Sequence, residues 1–377
     1  MHLLVNPVKD YAWGSRTDIA SLAGRPVPSP GPEAEMWFGA HPAGPSLLAG
    51  QGRSLAEAVV QDPAGLLGEA VLARFGARLP YLMKLIAVAR PLSLQVHPSA
   101  EQAAEGHARG VYGDPWPKPE LVCALTPFTA LAGFRPAAEA ADLLAGLGLP
   151  ALEDVVALLR RGAVLEALRV LLQEHRGTDG LGRAAAAVDG PDHALAVRLA
   201  RLHPGDPACL APLLLRRHEL APGQALFLGA GVPHCYLEGF GVEIMGASDN
   251  VMRAGLTPKP VDVPELLRVT DPAAVPLPAP FRDGVYDAPA QEFRLRRLTG
   301  EHRLPGGAPR ILLCTEGKAE AGPLRLAAGE SAFVPASCPE VTVTTAGVVF
   351  CAEPGPAYQP APAARAGAPE RGPQITG

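Results

Sequence analysis

Three short segments carry residue types that can do chemistry. Residues 91–98 alternate strictly, with Leu92, Leu94 and Val96 on one face of an extended chain and Ser93, Gln95 and His97 on the other. Pro98 ends the strand, and Ser99 with Gln102 predicts a capping box at the start of a helix. On pattern alone, such a strand faces water more often than it walls a polar site. The second segment is residues 116–123, where Pro119 forces Lys118 towards an extended conformation, so that Lys118 and Glu120 project to one side. The apolar run after Glu120 predicts a buried strand; the carboxylate at its head is either solvated or in need of a cation or metal. The third segment holds Gly223, Gly229, Gly231 and His234, followed by Tyr236. An isolated histidine is more often structural than a ligand. One that closes a turn-and-strand motif, with other ligand types on separate strands, is a metal candidate.

The elements that must position these groups are legible in outline. Short apolar runs with Pro and Gly punctuation over the first 130 or so residues predict strands and turns rather than long helices. Between residues 136 and about 215, Leu and Val fall at helical spacing and Gly-Pro breaks separate the runs, which predicts an all-helical insert. Strand-and-turn texture resumes near Leu220 and continues to about Pro354; the Pro/Ala-rich remainder reads as a disordered tail. Residues 220–234 align without gaps to residues 326–340, with six of fifteen positions identical, among them Gly223/Gly329, Phe227/Phe333 and Pro233/Pro339. Each copy reads as turn, strand, turn, strand, as in a β-barrel or jelly roll. His234 ends the first copy and Glu340 the second, so two related barrels are expected, one keeping a metal ligand and one degenerate. The expected division is therefore residues 1–135 with 215–275 as the metal-binding domain, 136–214 as the helical insert, 276–355 as the degenerate domain and 356–377 as the tail.

Composition narrows the function. The net charge of −5 and a sequence pI near 6.1 argue against a broad nucleic-acid-binding face, yet a few cations focused in a cleft can still bind a small anion. The six cysteines form no C-x-x-C pair and read as reduced thiols. The N-terminus turns polar at once, unlike a signal peptide, and no uncharged apolar run approaches the roughly 20 residues that cross a bilayer. A cytoplasmic protein without membrane or nucleic-acid partners is expected. Only five of the 33 basic residues are lysines, namely Lys9, Lys84, Lys118, Lys259 and Lys318. In a chain that accepts Arg as its generic surface cation, a surviving lysine hints at a need for the compact ammonium.

Residues 223–234 resemble the second cupin motif, G-x5-P-x-G-x2-H, with Gly229 where Pro is usual. With residues 11–15, 34–42, 80–85 and 249–259 in order, the chain to about residue 355 resembles the type I phosphomannose isomerases. That resemblance implies two cupin-type barrels and one zinc per chain on Gln95, His97, Glu120 and His234. It implies isomerisation of a small sugar phosphate, mannose 6-phosphate to fructose 6-phosphate, through a cis-enediol. It further implies Arg253 and Lys259 in the sugar-phosphate pocket, to which Ser93, Lys84, Lys118 and Tyr236 are added as expected contacts. Arg253, assisted by Lys118 or the metal, is expected to stabilise oxyanion charge, and Glu243 is the candidate base. Lys9 and Lys318 receive no role, and a monomer is expected. The competing readings are another metal-dependent cupin enzyme, such as an Fe(II) dioxygenase or a glucose-6-phosphate isomerase, and a cupin that only binds sugar phosphate.

Overall fold

The computed structural model describes residues 1–173, 180, 183–184 and 187–356; the expected tail beyond residue 356 lies outside the described residues. The fold is mainly β with helices, and its strands form one 11-stranded and one 10-stranded sheet. Both sheets branch, and neither ladder of hydrogen bonds closes into a ring among the described residues.

Each sheet is organised by one strand of 13 residues, His234–Gly246 in the first and Val341–Glu353 in the second. Both change partners midway. The first half of His234–Gly246 pairs with Phe128–Phe134 and touches Leu94–Val96, whereas residues from Gly239 onward pair with Tyr81–Val88 and Glu120–Ala124. A bulge between Tyr236 and Glu238 makes the change possible by bending the strand. Val341–Glu353 likewise pairs with Lys318–Ala321 through Val343–Thr345 and with Arg310–Glu316 from Val348 onward.

The two halves of the sequence repeat occupy matching places. Ala225–Leu228 and Ser331–Val334 are the strands, and a tight turn leads from each into the 13-residue strand. In the first copy this turn needs glycine at Gly231, where φ is 75° and a Cβ would meet Asp271 Cβ at 2.9 Å. Gly229 has no positive φ, which is why the second copy can carry Pro335 at the equivalent position.

The helices between residues 137 and 214 lie where the periodicity places them: Ala137–Ala145, Glu153–Arg160, Val164–Gln173, Pro191–Leu202 and Ala211–Leu214. Their core of Leu144, Val155, Leu159, Leu171 and Leu199 is continuous with Leu94, Val96, Ala254 and Leu256, so the insert supports the apolar side of the strands that carry the polar groups. Each such fully buried side chain contributes roughly 1.5–3 kcal/mol. Ser99 and Gln102 form the expected capping box at the head of Ala100–Ala108.

The sheets depart from the linear division at both ends. His2–Val5 pairs with Ser331–Val334 in the second sheet, while Leu277–Pro278 pairs with Ala225–Leu228 in the first. Local pattern reads both as strand-and-turn texture but carries no information on a partner that is distant in sequence, about 50 residues away for one and more than 300 for the other.

Candidate functional site

Three side chains from separate strands meet below the first sheet. His97 follows Leu94–Val96, Glu120 begins Glu120–Ala124, and His234 begins the 13-residue strand; all three are buried. Their nitrogen and oxygen atoms lie within 4.8 Å of one another. His97 Nε2 is 3.1 Å from Glu120 Oε1, and His234 Nε2 is 3.4 Å from Glu120 Oε2.

The backbone sets the tautomers. His97 Nδ1 lies 2.9 Å from Asn250 O and His234 Nδ1 lies 2.9 Å from Val232 O. A carbonyl only accepts, so each Nδ1 donates and it is Nε2 of each ring that faces the carboxylate. Burial pushes His97 down to about 4, which keeps it neutral. Burial by itself would raise Glu120, but His97 and Lys118 hold its carboxyl well below the usual range. His97 Nε2 and Glu120 Oε2 are consequently buried without a hydrogen-bond partner. Lone pairs converging with no proton between them are costly unless a cation sits among them, and two imidazoles with one carboxylate are a donor set that zinc accepts. Gln95 touches the cluster through its amide, with Nε2 3.2 Å from His234 Nε2. A half-turn of that amide presents the oxygen instead.

The cluster lies at the floor of a cavity of about 600 Å³. Gln95 and Glu120 line it, while the two histidines sit behind them with no exposed surface. The polar face of residues 91–98 is thus a wall of this cavity and not the water-facing edge that its pattern favours. Strand register explains much of the assembly, since Gln95 pairs with His234 on one side and with Arg253 on the other. Gly246 permits close approach of the chain that delivers Lys118, because a Cβ there would meet Pro117 O at 2.8 Å.

All eleven residues singled out by sequence are brought together. Arg253, Lys118, Glu243, Ser93, Lys84, Tyr236 and Lys259 line the cavity, Gln95 and Glu120 form its floor, and His97 and His234 lie directly behind them. Lys118 Nζ is 3.5 Å from Glu120 Oε1. The Arg253 side chain makes no hydrogen bond or ion pair with the described residues, which leaves its guanidinium free for an anion. Lys84 does not snorkel. It is buried opposite Glu243 in the ladder, with Nζ 3.0 Å from Glu243 Oε2 and 3.7 Å from Glu35 Oε2. Burial alone would lower the Lys84 ammonium; the two carboxylates outweigh that and raise it. Burial raises the Glu243 carboxyl, and the charges of Glu120 and Glu35 reinforce this against the pull of Lys84. The Tyr236 hydroxyl is buried against the cavity without a hydrogen-bond partner.

Sequence reasoning missed a second group of lining residues. Glu35 and Trp37 on Glu35–Phe38, with His41 just beyond, face the Lys84 end of the cavity. Trp37 pairs with Lys84 in the ladder and donates Nε1–H to Glu35 Oε2 at 2.5 Å. The available signal was Glu35 and Trp37 two apart, an acid and an aromatic on the same face of one strand. Lys9, expected to be a lysine without a role, holds its ammonium 4.4 Å over the Trp37 ring and donates to Ala43 O.

Residues 1–137 match the family model for the phosphomannose isomerase type I catalytic domain. Mannose-6-phosphate isomerase of Shigella flexneri is 38% identical, with 91% of this chain and 97% of that protein covered. The Rattus norvegicus protein of the same name is 31% identical, with 91% of each covered. Among solved structures, a point variant of phosphomannose isomerase from Salmonella typhimurium superimposes with a TM-score of 0.86 at 33% identity, covering 94% of this chain and 99% of that one. A zinc-bound mannose 6-phosphate isomerase gives 0.85 at 34% identity, with the same coverage.

Proposed function

We infer that this chain, which belongs to the type I phosphomannose isomerase family, is a zinc-dependent isomerase that interconverts mannose 6-phosphate and fructose 6-phosphate. The observation that carries the reading is the buried cluster of His97, Glu120 and His234 ligand atoms beneath a cavity walled by Lys118, Arg253 and Lys259. We assign the zinc to His97, Glu120, His234 and Gln95, one ion per chain. Bound there, zinc supplies a Lewis acid that polarises a substrate oxygen.

The remaining roles belong to the chain's own residues. Moving a proton between C1 and C2 of the open-chain sugar through a cis-enediol requires a base and a group that stabilises oxyanion charge. Glu243 is our choice of base. It lines the cavity, and burial raises its carboxyl towards the working pH, where a general base is most effective. Lys84 orients that carboxylate from the opposite strand. Arg253, free of protein partners, stabilises the enediolate charge, and Lys118 adds a second cation beside the metal cluster. Lys259 and Ser93 bind the sugar phosphate, and the unpartnered Tyr236 hydroxyl receives a substrate oxygen.

We further propose that the two sheets are cupin-type jelly rolls, the second one degenerate, with the helical segment inserted in the first. The matched placement of the sequence repeat and the shared change of partners in the two long strands support this. All six cysteines are free, which fits the reducing cytoplasm, and no described helix is long and apolar enough to cross a membrane. Purified protein is expected to convert mannose 6-phosphate, to lose that turnover with a zinc chelator and to regain it when zinc is restored. Fully zinc-loaded protein that converts no mannose 6-phosphate would overturn the assignment.

A further inference from the structure

The segment that delivers Arg253 to the cavity is not held by its own local structure. Leu256 has φ of 56°, a left-handed conformation that a leucine rarely adopts, and it is buried. Gly255 has φ of 142°, and a Cβ at that position would meet Ala208 Cβ at 2.4 Å and Asp206 Oδ1 at 2.7 Å. Such backbone persists only where surrounding groups over-determine it. Asp206, which belongs to the helical insert, is the group that does so. Its Oδ2 accepts the Leu256 N–H at 2.6 Å while its Oδ1 accepts the Ala208 N–H at 2.8 Å. One carboxylate therefore caps the Pro207–Leu210 turn of the insert and pins the end of Met252–Gly255.

The consequences reach the cavity on both sides of Leu256. Upstream, the ladder register shifts between Arg253 and Gly255, so the backbone that aims Arg253 is set by this irregular turn. Downstream, Thr257 and Lys259 line the cavity, and Thr257 Oγ1 accepts the Lys259 N–H at 3.2 Å. Since Arg253 has no protein partner among the described residues, only its backbone and packing position it.

We propose that Asp206 is a positioning residue for the isomerisation, holding the Gly255–Leu256 turn so that Arg253 meets the reacting sugar. This rests on the reading of Arg253 as the charge-stabilising group. The test measures kcat on mannose 6-phosphate, zinc content and melting temperature for wild type, Asp206→Ala, Asp206→Asn, Arg253→Ala and the Asp206→Ala/Arg253→Ala double variant. Asp206→Ala is expected to lower kcat by roughly 10- to 100-fold, as a misplacement near 1 Å does, with zinc content unchanged. Asp206→Asn keeps one acceptor oxygen and is expected to fall between wild type and Asp206→Ala; it carries the comparison should Asp206→Ala not fold. If Asp206 acts through Arg253, the double variant should lose no more than about 3-fold beyond Arg253→Ala alone, whereas a purely structural defect multiplies the two losses. Wild-type kcat in Asp206→Ala, or full multiplication in the double variant, overturns the proposal. Wild-type kcat in Arg253→Ala instead overturns the catalytic reading on which it rests.

Discussion

The two repeat copies fold alike and have been put to different use. In the first, Leu228 pairs with Glu120 and the following turn delivers His234 to a buried cluster of ligand atoms. In the second, the equivalent Val334 pairs with Arg310, and the equivalent of His234 is Glu340, a largely exposed side chain. A cation is built into the second copy where the first leaves room for one. Arg310 is buried and donates Nε–H to Glu353 Oε2 at 2.8 Å, and Arg296 donates to Glu353 Oε1 at 2.8 Å. Each long strand thus carries one buried glutamate with opposite electrostatics. Burial would raise Glu353, but Arg296 and Arg310 hold it low; burial raises Glu243, and one lysine does not undo it. The same scaffold satisfies its buried charge in one place and leaves it poised in the other.

The sharpest way to break this comparison is at the repeat's last position. His234→Ala is expected to lose nearly all bound zinc and turnover, while Glu340→Gln keeps both, as measured by metal analysis and kcat. Full zinc in the His234 variant would remove it from the ligand set. Arg253→Ala should lower kcat by about 10²–10³-fold with a much smaller rise in KM and unchanged zinc. An unchanged kcat with weaker binding would make Arg253 a phosphate anchor.

The buried glutamates should separate stability from catalysis. Glu243→Gln is expected to lower kcat by roughly 10²–10⁴-fold, as loss of a general base does, with a modest change in melting temperature. Glu353→Gln leaves Arg310 buried without its carboxylate and should cost about 3–5 kcal/mol in denaturant unfolding, with kcat per folded molecule unchanged. Because the folded Glu353 carboxyl is held below its ordinary value, its contribution is complete above the usual carboxylate range and is lost as pH falls through the folded value. The stability gap between wild type and Glu353→Gln should therefore shrink with acid below about pH 4.5. A gap that stays constant would mean that the arginines do not stabilise the ionised form. The smallest expected effect is Lys259→Arg, which should raise KM several-fold because a planar guanidinium replaces a compact ammonium. Lys318→Arg, on an exposed strand of the second sheet, should change nothing. Equal behaviour of the two would empty the persistence of Lys259 of functional meaning.

Much of this molecule is written locally. Leucine spacing between residues 136 and 215 specifies helices because burying one apolar stripe requires a 3.6-residue period. Ser99 and Gln102 specify a helix start because they satisfy each other's backbone N–H groups. The ligand types and the repeat were legible, and a resemblance tied them to one site. Tertiary structure decided the rest. Strict alternation in residues 91–98 fixed two faces but not which one water would see; the insert packed on the Leu94 and Val96 side, and the cavity took the other. The roles of Glu35 and Trp37 follow from the pairing of Trp37 with Lys84, a register chosen between strands some 50 residues apart. The histidine tautomers depend on the carbonyls of Asn250 and Val232, and the aim of Arg253 on a carboxylate in the inserted helical segment. The reason is common to all of these: propensity and periodicity act over a few residues, whereas pairing partners, burial and electrostatic neighbours are set by contacts distant in sequence.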